Sequence, residues 1–273
     1  MFRYSLPLLL GTVSLLGWSE PAEARQFFGS SGTRVNVDQG LPERPGGFTF
    51  CRLAYRSYRS DPSGNGWRTD FPEADRNLVT RLPQLTPTTI SQWSHGELGF
   101  AVVRPTDPDL YRCPFLMATD VGEIGFSPEE VEAMRNYLLK GGFFWADDFW
   151  GTAAWSYFEA EIRRILPEYE IIELPMDHPL LEIVYTVPRI PQIPSINFWS
   201  RSGGETSELG FDSRDPSMRA VIDGTGRILV LATHNTDISD GWEREAYDPR
   251  FFQLFSPDAY AIGINVAVWV MTH

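Results

Sequence analysis

The stretch from Ser127 to Gly151 reads SPEEVEAMRNYLLKGGFFWADDFWG. Its first half carries the signals of a helix start. Ser127 can cap the exposed N–H groups, Pro128 suits the first helical position, and Glu129 and Glu130 favour the positive end of the helix dipole. Glu130 also stands three residues after Ser127, the spacing of a capping box. Val131, Met134, Leu138 and Leu139 recur at helical spacing and give one apolar face. Gly141 follows where a left-handed backbone is wanted. Phe143, Phe144, Trp145 and Ala146 form a continuous apolar run, the pattern of a central parallel strand covered on both faces. The chain then meets Asp147 and Asp148 where that strand ends. In open α/β sheets ligands collect outside the carboxyl ends of strands, so these two acids mark a candidate site.

Working outward, the pieces alternate. Phe48–Tyr55 reads as a first strand and Arg56–Asp70 as a loop dense in turn formers. Pro72–Leu82 fits a helix that Asp70 could cap. Short strands are expected at Thr89–Ile90 and Phe100–Val103. Another lies within Leu110–Thr119, ended by Asp120-Val121-Gly122. Ala153–Leu166 gives a second strong helix, with Trp155, Phe158, Ile162 and Ile165 on one face, and Tyr169–Leu174 a further strand. The alternation favours an α/β fold, a mostly parallel sheet with helices on both faces. Thr186–Pro194 is rich in proline, and residues 195–217 read as an irregular lid or surface loop. Met218–Asp223 and Arg227–Thr233 form a hairpin through Gly224-Thr225-Gly226. Tyr260–Thr272 closes the domain as a helix on the sheet.

The 273 residues are 42% hydrophobic and 14% aromatic, with a net charge of -13. That acidity, with no basic run, excludes nucleic acid as a partner class. Residues 1–24 read as an export signal: Arg3 is the basic start, Leu6–Trp18 the apolar core, and Ala22-Glu23-Ala24 the cleavage site. The expected location is therefore periplasmic or secreted. The apolar run is shorter than the roughly 20 residues of a spanning helix, so no membrane span is expected after cleavage. Residues 25–47 lack periodicity and read as a lead-in, leaving 48–273 as one domain. Cys51 and Cys113 each lie in a strand-like segment. A single disulfide is open to them in an oxidising compartment, but buried free thiols are the commoner state and the expectation.

Six motifs recur together: F-x-F-x-R-L-x-Y (Phe48–Tyr55), W-x-x-D-x-P (Trp67–Pro72), S-x-x-E-x-x-x-x-R-x-Y-L-x-x-G-G (Ser127–Gly142), D-D-F-W (Asp147–Trp150), D-H-P-L (Asp177–Leu180) and H-N-x-D (His234–Asp237). In their order they resemble a bacterial domain family of unknown function with a class I glutamine-amidotransferase-like, flavodoxin-like fold. The resemblance implies that fold and an envelope location, and brings no reaction. Amidotransferases of that fold carry a nucleophilic cysteine on the turn after a central strand. Here the matching turn holds Asp147 and Asp148, while Cys113 sits near the start of a strand, so a cysteine-dependent amidotransferase is not expected.

The candidate constellations are four. Asp147 and Asp148 could act as a general base with a supporting acid, or as oxygen ligands for a cation. Strand alternation would turn one of them away, and one could instead cap the next helix. His178, held extended by Pro179, could be a base or a metal ligand, or simply a turn histidine bonded to backbone. His234, Asn235 and Asp237, with Trp242 and Glu243, form the densest polar cluster, on a loop expected to share an edge with the two aspartates. Histidine with carboxylates can hold zinc or another divalent metal, though this spacing fits no recognised motif, and an Asx-rich turn is the plain alternative. Arg52, Tyr55, Trp67 and Asp70 bracket the first loop and suit a sugar- or peptide-binding groove, or a loop packed onto the sheet. Two functions follow. One is a non-catalytic envelope module binding a small ligand or a protein partner through Tyr55, Trp67, Asp70, Asn235, Asp237 and Glu243. The other is a hydrolase using Asp147 or Asp148 with His178 or His234, with or without a metal. Convergence of Asp148, His178 and His234 would separate them.

Overall fold

In the computed structural model the described residues are 26–28, 34–36, 40–43, 46–59 and 64–273, so the export signal read at 1–24 lies outside them. Within the lead-in, two short strands, β1 (Gln26–Phe28) and β2 (Arg34–Asn36), pair antiparallel. The domain proper runs β3 (Phe50–Leu53), β4 (Arg56–Ser57), α1 (Glu73–Leu85), β5 (Phe100–Val103), β6 (Phe115–Ala118), β7 (Ile124–Gly125), α2 (Pro128–Leu139), β8 (Phe143–Ala146), α3 (Gly151–Ile165) and β9 (Ile171–Glu173). It continues through α4 (Ile196–Ser202), β10 (Ser217–Ile222), β11 (Ile228–His234), α5 (Asp240–Glu243) and α6 (Pro249–Thr272).

Seven of these strands form one sheet in the order β5-β3-β6-β8-β11-β10-β9. The five from β5 to β11 are parallel, and β10 and β9 each pair antiparallel with a neighbour. The sheet is therefore mixed, because the tight Asp223–Arg227 turn folds β10 directly back against β11. All four residues of β8 are buried, as its unbroken apolar run requires. Phe143 and Trp145 face a core built with α1, α5 and α6, whereas Phe144 and Ala146 face one built with α2 and α3. Helices thus cover both faces, and the parallel strands all deliver their carboxyl ends to one edge.

Helix α2 begins with the capping box that Ser127 and Glu130 announce. Ser127 Oγ accepts from Glu130 N at 3.2 Å, and Glu130 Oε2 accepts from Ser127 N at 2.7 Å. Its buried face is Met134, Tyr137 and Leu138, with Leu139 turned to solvent. Tyr137 can take the inner place because its hydroxyl reaches backbone carbonyls of Cys113 and Phe143.

Other expectations need correction. Helix α1 runs on to Leu85 with Pro83 inside it, and Asp70 does not cap it through its side chain. Only the Asp70 carbonyl helps, accepting from Ala74 N. Residues 195–217 include α4 and a short 3-10 turn, Gly210–Ser213. The closing helix α6 spans 24 residues and is long and apolar enough to cross a membrane by length and composition alone; here Phe251, Ala259, Ile262, Ile264 and Val266 pack in the core. Finally, Cys51 and Cys113 form a buried disulfide, with Cα atoms 6.0 Å apart, instead of two free thiols. Their separation of 62 residues hides the cause: β3 and β6 are adjacent strands, and both cysteines fall on the α2–α3 side.

Candidate functional site: a carboxylate cleft

Four loops leave the carboxyl edge of the parallel strands, after β3, β6, β8 and β11. Each turns on an Asx residue with left-handed backbone: Asp70 (φ 63°), Asp120 (φ 55°), Asp148 (φ 54°) and Asn235 (φ 60°). These are the only non-glycine residues of positive φ among the described residues. Aspartate and asparagine tolerate that region better than other side chains, at a cost of order 1 kcal/mol each. Their concentration on one edge shows where the fold accepts strain.

The left-handed turn at Asp148 also ends strand alternation. Asp147 and Asp148 were expected to point apart, yet both reach the same cluster. Asp147 Oδ1 accepts from Thr233 Oγ1 at 2.5 Å, and its Oδ2 accepts from the Ser239 amide at 2.9 Å. Asp148 lies with Asp70 and Asp237 so that one carboxylate oxygen from each falls within 4.8 Å of the others. Asp70, Asp240 and Glu243 form a second such group sharing Asp70.

Ser239 is the hub. Its hydroxyl oxygen is 2.9 Å from Asp70 Oδ2, 2.9 Å from Asp147 Oδ2 and 3.1 Å from Asp237 Oδ1. One hydroxyl donates one proton, and an ionised carboxylate only accepts. Three ionised acids therefore cannot all be satisfied there. Burial drives the Asp70 carboxyl up to about 8, with the charge of Asp240 adding to it and Arg52 opposing. Burial likewise raises Asp147, Asp240 and, further still, Asp148 and Asp237, the last two pushed on by their acidic neighbours. Glu243 rises to about 10, again from burial first and then from Asp70 and Asp240.

The guanidinium groups at the edge are committed. Arg52, fully buried in β3, makes a two-nitrogen ion pair with Asp75 and donates to Thr119 Oγ1 at 2.9 Å. Arg244 pairs with Glu243 at 2.6 Å and Asp240 at 3.4 Å. Asp70, Asp147, Asp148 and Asp237 have no direct ion pair among the described residues.

The other expected residues divide. Tyr55 is buried, its hydroxyl 2.6 Å from the Asp120 carbonyl and 2.9 Å from that of Thr119, so it braces the cleft. Trp67 packs on Phe71 with ring centroids 5.5 Å apart. Asn235 accepts from Gly151 N at 2.8 Å and donates to the Asp215 carbonyl at 2.9 Å, which clamps the start of α3. His234 lies beside it with Nε2 3.0 Å from the Gly151 carbonyl, between Phe149 and Trp155, outside both carboxylate groups. His178 accepts from Leu180 N through Nδ1 and packs on Trp269, also outside them. The two histidines thus do not join Asp147 and Asp148, and the expected histidine–carboxylate pairing does not form.

Asp120, Ser239 and Asp240 complete the edge and were not singled out from sequence. Asp120 was read only as the end of a strand, although its Oδ2 accepts from Gly66 N at 2.9 Å across 54 residues. Ser239 and Asp240 were visible as part of the polar run His234–Glu243, where counting acids alone would have found Asp240. Chemically, the cleft offers carboxylate and hydroxyl oxygens without histidine or cysteine, a donor set for a hard cation such as calcium, magnesium or manganese and a poor one for zinc.

The fold and cleft define an α/β domain whose distinguishing feature is buried acid at the strand ends. Residues 49–271 match the family described as a domain of unknown function, DUF4159, and the chain belongs to that family. No curated protein matches the chain.

Proposed function

We propose that the protein is an exported module that binds a calcium ion in the carboxylate cleft and uses it to hold a small ligand or a protein partner at the cell envelope. The observation that carries this reading is the convergence of Asp70, Asp147 and Asp237 on the single hydroxyl of Ser239, with Asp148 beside them. Burial raises the pKa of all four acids, with mutual repulsion adding to it at Asp70, Asp148 and Asp237, and that of Asp70 reaches about 8; a divalent ion would relieve that repulsion and be coordinated by their oxygens. Calcium accepts six to eight oxygen ligands in flexible geometry, whereas magnesium retains water and rarely fills an all-protein cage.

Export is supported by the apolar leader Leu6–Trp18 and by the buried Cys51–Cys113 disulfide, a bond that persists in oxidising compartments. The order β5-β3-β6-β8 puts the second strand of the sheet on one side of the first and the third and fourth on the other, which supports the flavodoxin-like, amidotransferase-like assignment. Asp148 stands in the turn between β8 and α3 where such an enzyme would place its cysteine, which supports a binding role. Hydrolysis at the same cation is a second reading. It is favoured by Asp148 itself, which stays partly exposed and, once a neighbouring cation holds it ionised, would be a strong base for a proton of metal-bound water because its pKa is raised.

Calorimetric titration of the purified chain with calcium tests the proposal. The expected result is saturable binding and a raised melting temperature, about 2.7 kcal/mol of added stability at a hundredfold excess over Kd. Both should vanish in Asp148→Asn and Asp237→Asn variants whose circular dichroism is unchanged. Absence of any heat or melting shift with millimolar calcium, magnesium and manganese alike would remove the cation from the function.

A further inference from the structure

Three buried polar atoms without partners lie on neighbouring positions of the α3 side of the sheet, away from the cleft. Ser217 and His234 are directly opposed across the β10–β11 pair, and Arg219 lies two residues along β10. Directly opposed residues, and residues two apart on one strand, share a face. The Arg219 guanidinium carbon is 3.9 Å from the centre of the Trp155 ring, and the His234 ring lies 5.4 Å from it. Ser217 Oγ, Arg219 Nη1 and His234 Nδ1 are all buried, and none has a hydrogen-bond partner among the described residues. An orphaned buried polar atom costs about 1–3 kcal/mol. Three on one face of the β10–β11 pair, two of them beside the Trp155 ring, therefore point to a common partner.

The chemistry of that partner follows from the three atoms. His234 Nε2 faces the Gly151 carbonyl, which only accepts, so Nε2 carries the proton. Burial lowers the imidazole pKa to about 4, so at neutral pH the ring is uncharged and Nδ1 presents a bare lone pair. Arg219 Nη1 can only donate, because a guanidinium carries no acceptor, and Nε of the same side chain is already engaged with Glu173 at 3.0 Å. The Ser217 hydroxyl can do either. A hydroxyl oxygen answers all three, giving its proton to Nδ1 and accepting from Nη1 and Oγ. An anion would confront the lone pair and a cation the guanidinium. The Arg219 side chain is 27% exposed and Trp155 is half-buried, so the spot communicates with the surface beside them.

We propose that Ser217, Arg219 and His234 form a binding site for a single hydroxyl oxygen, supplied by a long-lived water molecule or by the hydroxyl group of a polyol or sugar. The site is independent of the cation cleft, which Thr233 rather than His234 faces.

Nuclear magnetic resonance on the labelled full chain tests it without a destabilising variant. The expected result is the Nε2–H tautomer of His234 with a hydrogen-bonded Nδ1 shift, and a cross-peak from long-lived water to the His234 or Trp155 ring protons. A Ser217→Ala variant should keep the fold and weaken that cross-peak. Titration with glycerol and glucose separates the sources. Replacement of the water peak by polyol protons assigns the oxygen to a ligand, and its persistence assigns it to water; either supports the site. The Nδ1–H tautomer, or an unbonded Nδ1 with neither water nor polyol nearby, would overturn it.

Discussion

The short α5 turn separates two regions that treat buried acid in opposite ways. On one side Glu245 receives both Nε and Nη2 of Arg81 at 3.0 Å and the Tyr260 hydroxyl at 2.9 Å. That closed trio lines one wall of an apolar cleft of about 320 Å³ between α1 and α6. On the other side, two residues earlier, Glu243 joins Asp240 and Asp70, with Asp147, Asp148 and Asp237 beyond. Arg52 and Asp75 repeat the paired arrangement within the same strand edge. Where an acid serves the fold, then, a guanidinium is supplied in bonding geometry. Among the crowded acids Glu243 and Asp240 share Arg244, but Asp70, Asp147, Asp148 and Asp237 lie beside one another with no ion pair among the described residues, and that is the difference expected of a site kept for a cation.

The largest effect should come from breaking a paired acid. Arg52→Met leaves Asp75 buried without its counter-charge, and should cost about 3–5 kcal/mol in urea denaturation at neutral pH, with most of it recovered in Arg52→Met/Asp75→Leu. A loss under about 1 kcal/mol would erase the distinction between the two classes, because the paired acid would then be as dispensable as a surface one.

Proton linkage sharpens the same comparison. Asp70 titrates at 3.8 when free and at about 8 when folded, so the native state holds the extra proton across that window. Its contribution to stability is complete below pH 4 and declines as pH rises toward 8. Glu243, raised to about 10, acts in the same sense. His234 acts oppositely, falling from 6.5 to about 4 on folding, so its contribution grows as pH rises and is complete above 6.5. Between pH 6.5 and 8 the crowded carboxyls therefore dominate. In chelator the melting temperature should fall across that range, the unfolding free energy dropping by at most about 1.4 kcal/mol per pH unit for each carboxyl. Saturating calcium should flatten the slope. A melting temperature level from pH 6.5 to 8 in chelator would mean that the cluster is not buried as a set of protonated acids.

How much of this was readable depends on the range of each interaction. The α2–β8 unit was legible because its signals are local: a capping box spans three residues and a buried strand shows as an apolar run. The acids at the edge were half legible. Asp70, Asp147, Asp148, Asp237 and Glu243 could be placed at strand ends, but the contacts that gather Asp70, Asp147 and Asp237 on Ser239 join residues up to 169 positions apart. The Cys51–Cys113 bond was misjudged for the same reason, since only the β3–β6 pairing brings the two together. The histidines misled because their chemistry is versatile and their partners here are backbone groups, Gly151 O and Leu180 N, that no sequence pattern displays.

The smallest effect isolates what the organising stretch contributes by itself. Ser127→Ala removes one side of the capping box, exposing the Glu130 amide and loosening the Glu130 carboxylate that accepts from the Ser127 amide. It should cost about 1 kcal/mol in chemical denaturation. Because the Ser127 hydroxyl bonds Glu130 and none of the edge acids among the described residues, the change should alter neither the calcium-induced rise in melting temperature nor the slope between pH 6.5 and 8. A variant that weakened calcium binding as well would show that α2 and β8 transmit strain to the Asp147–Asp148 turn. The carboxylate cleft would then be an extension of the paired framework, and the two treatments of buried acid would be one.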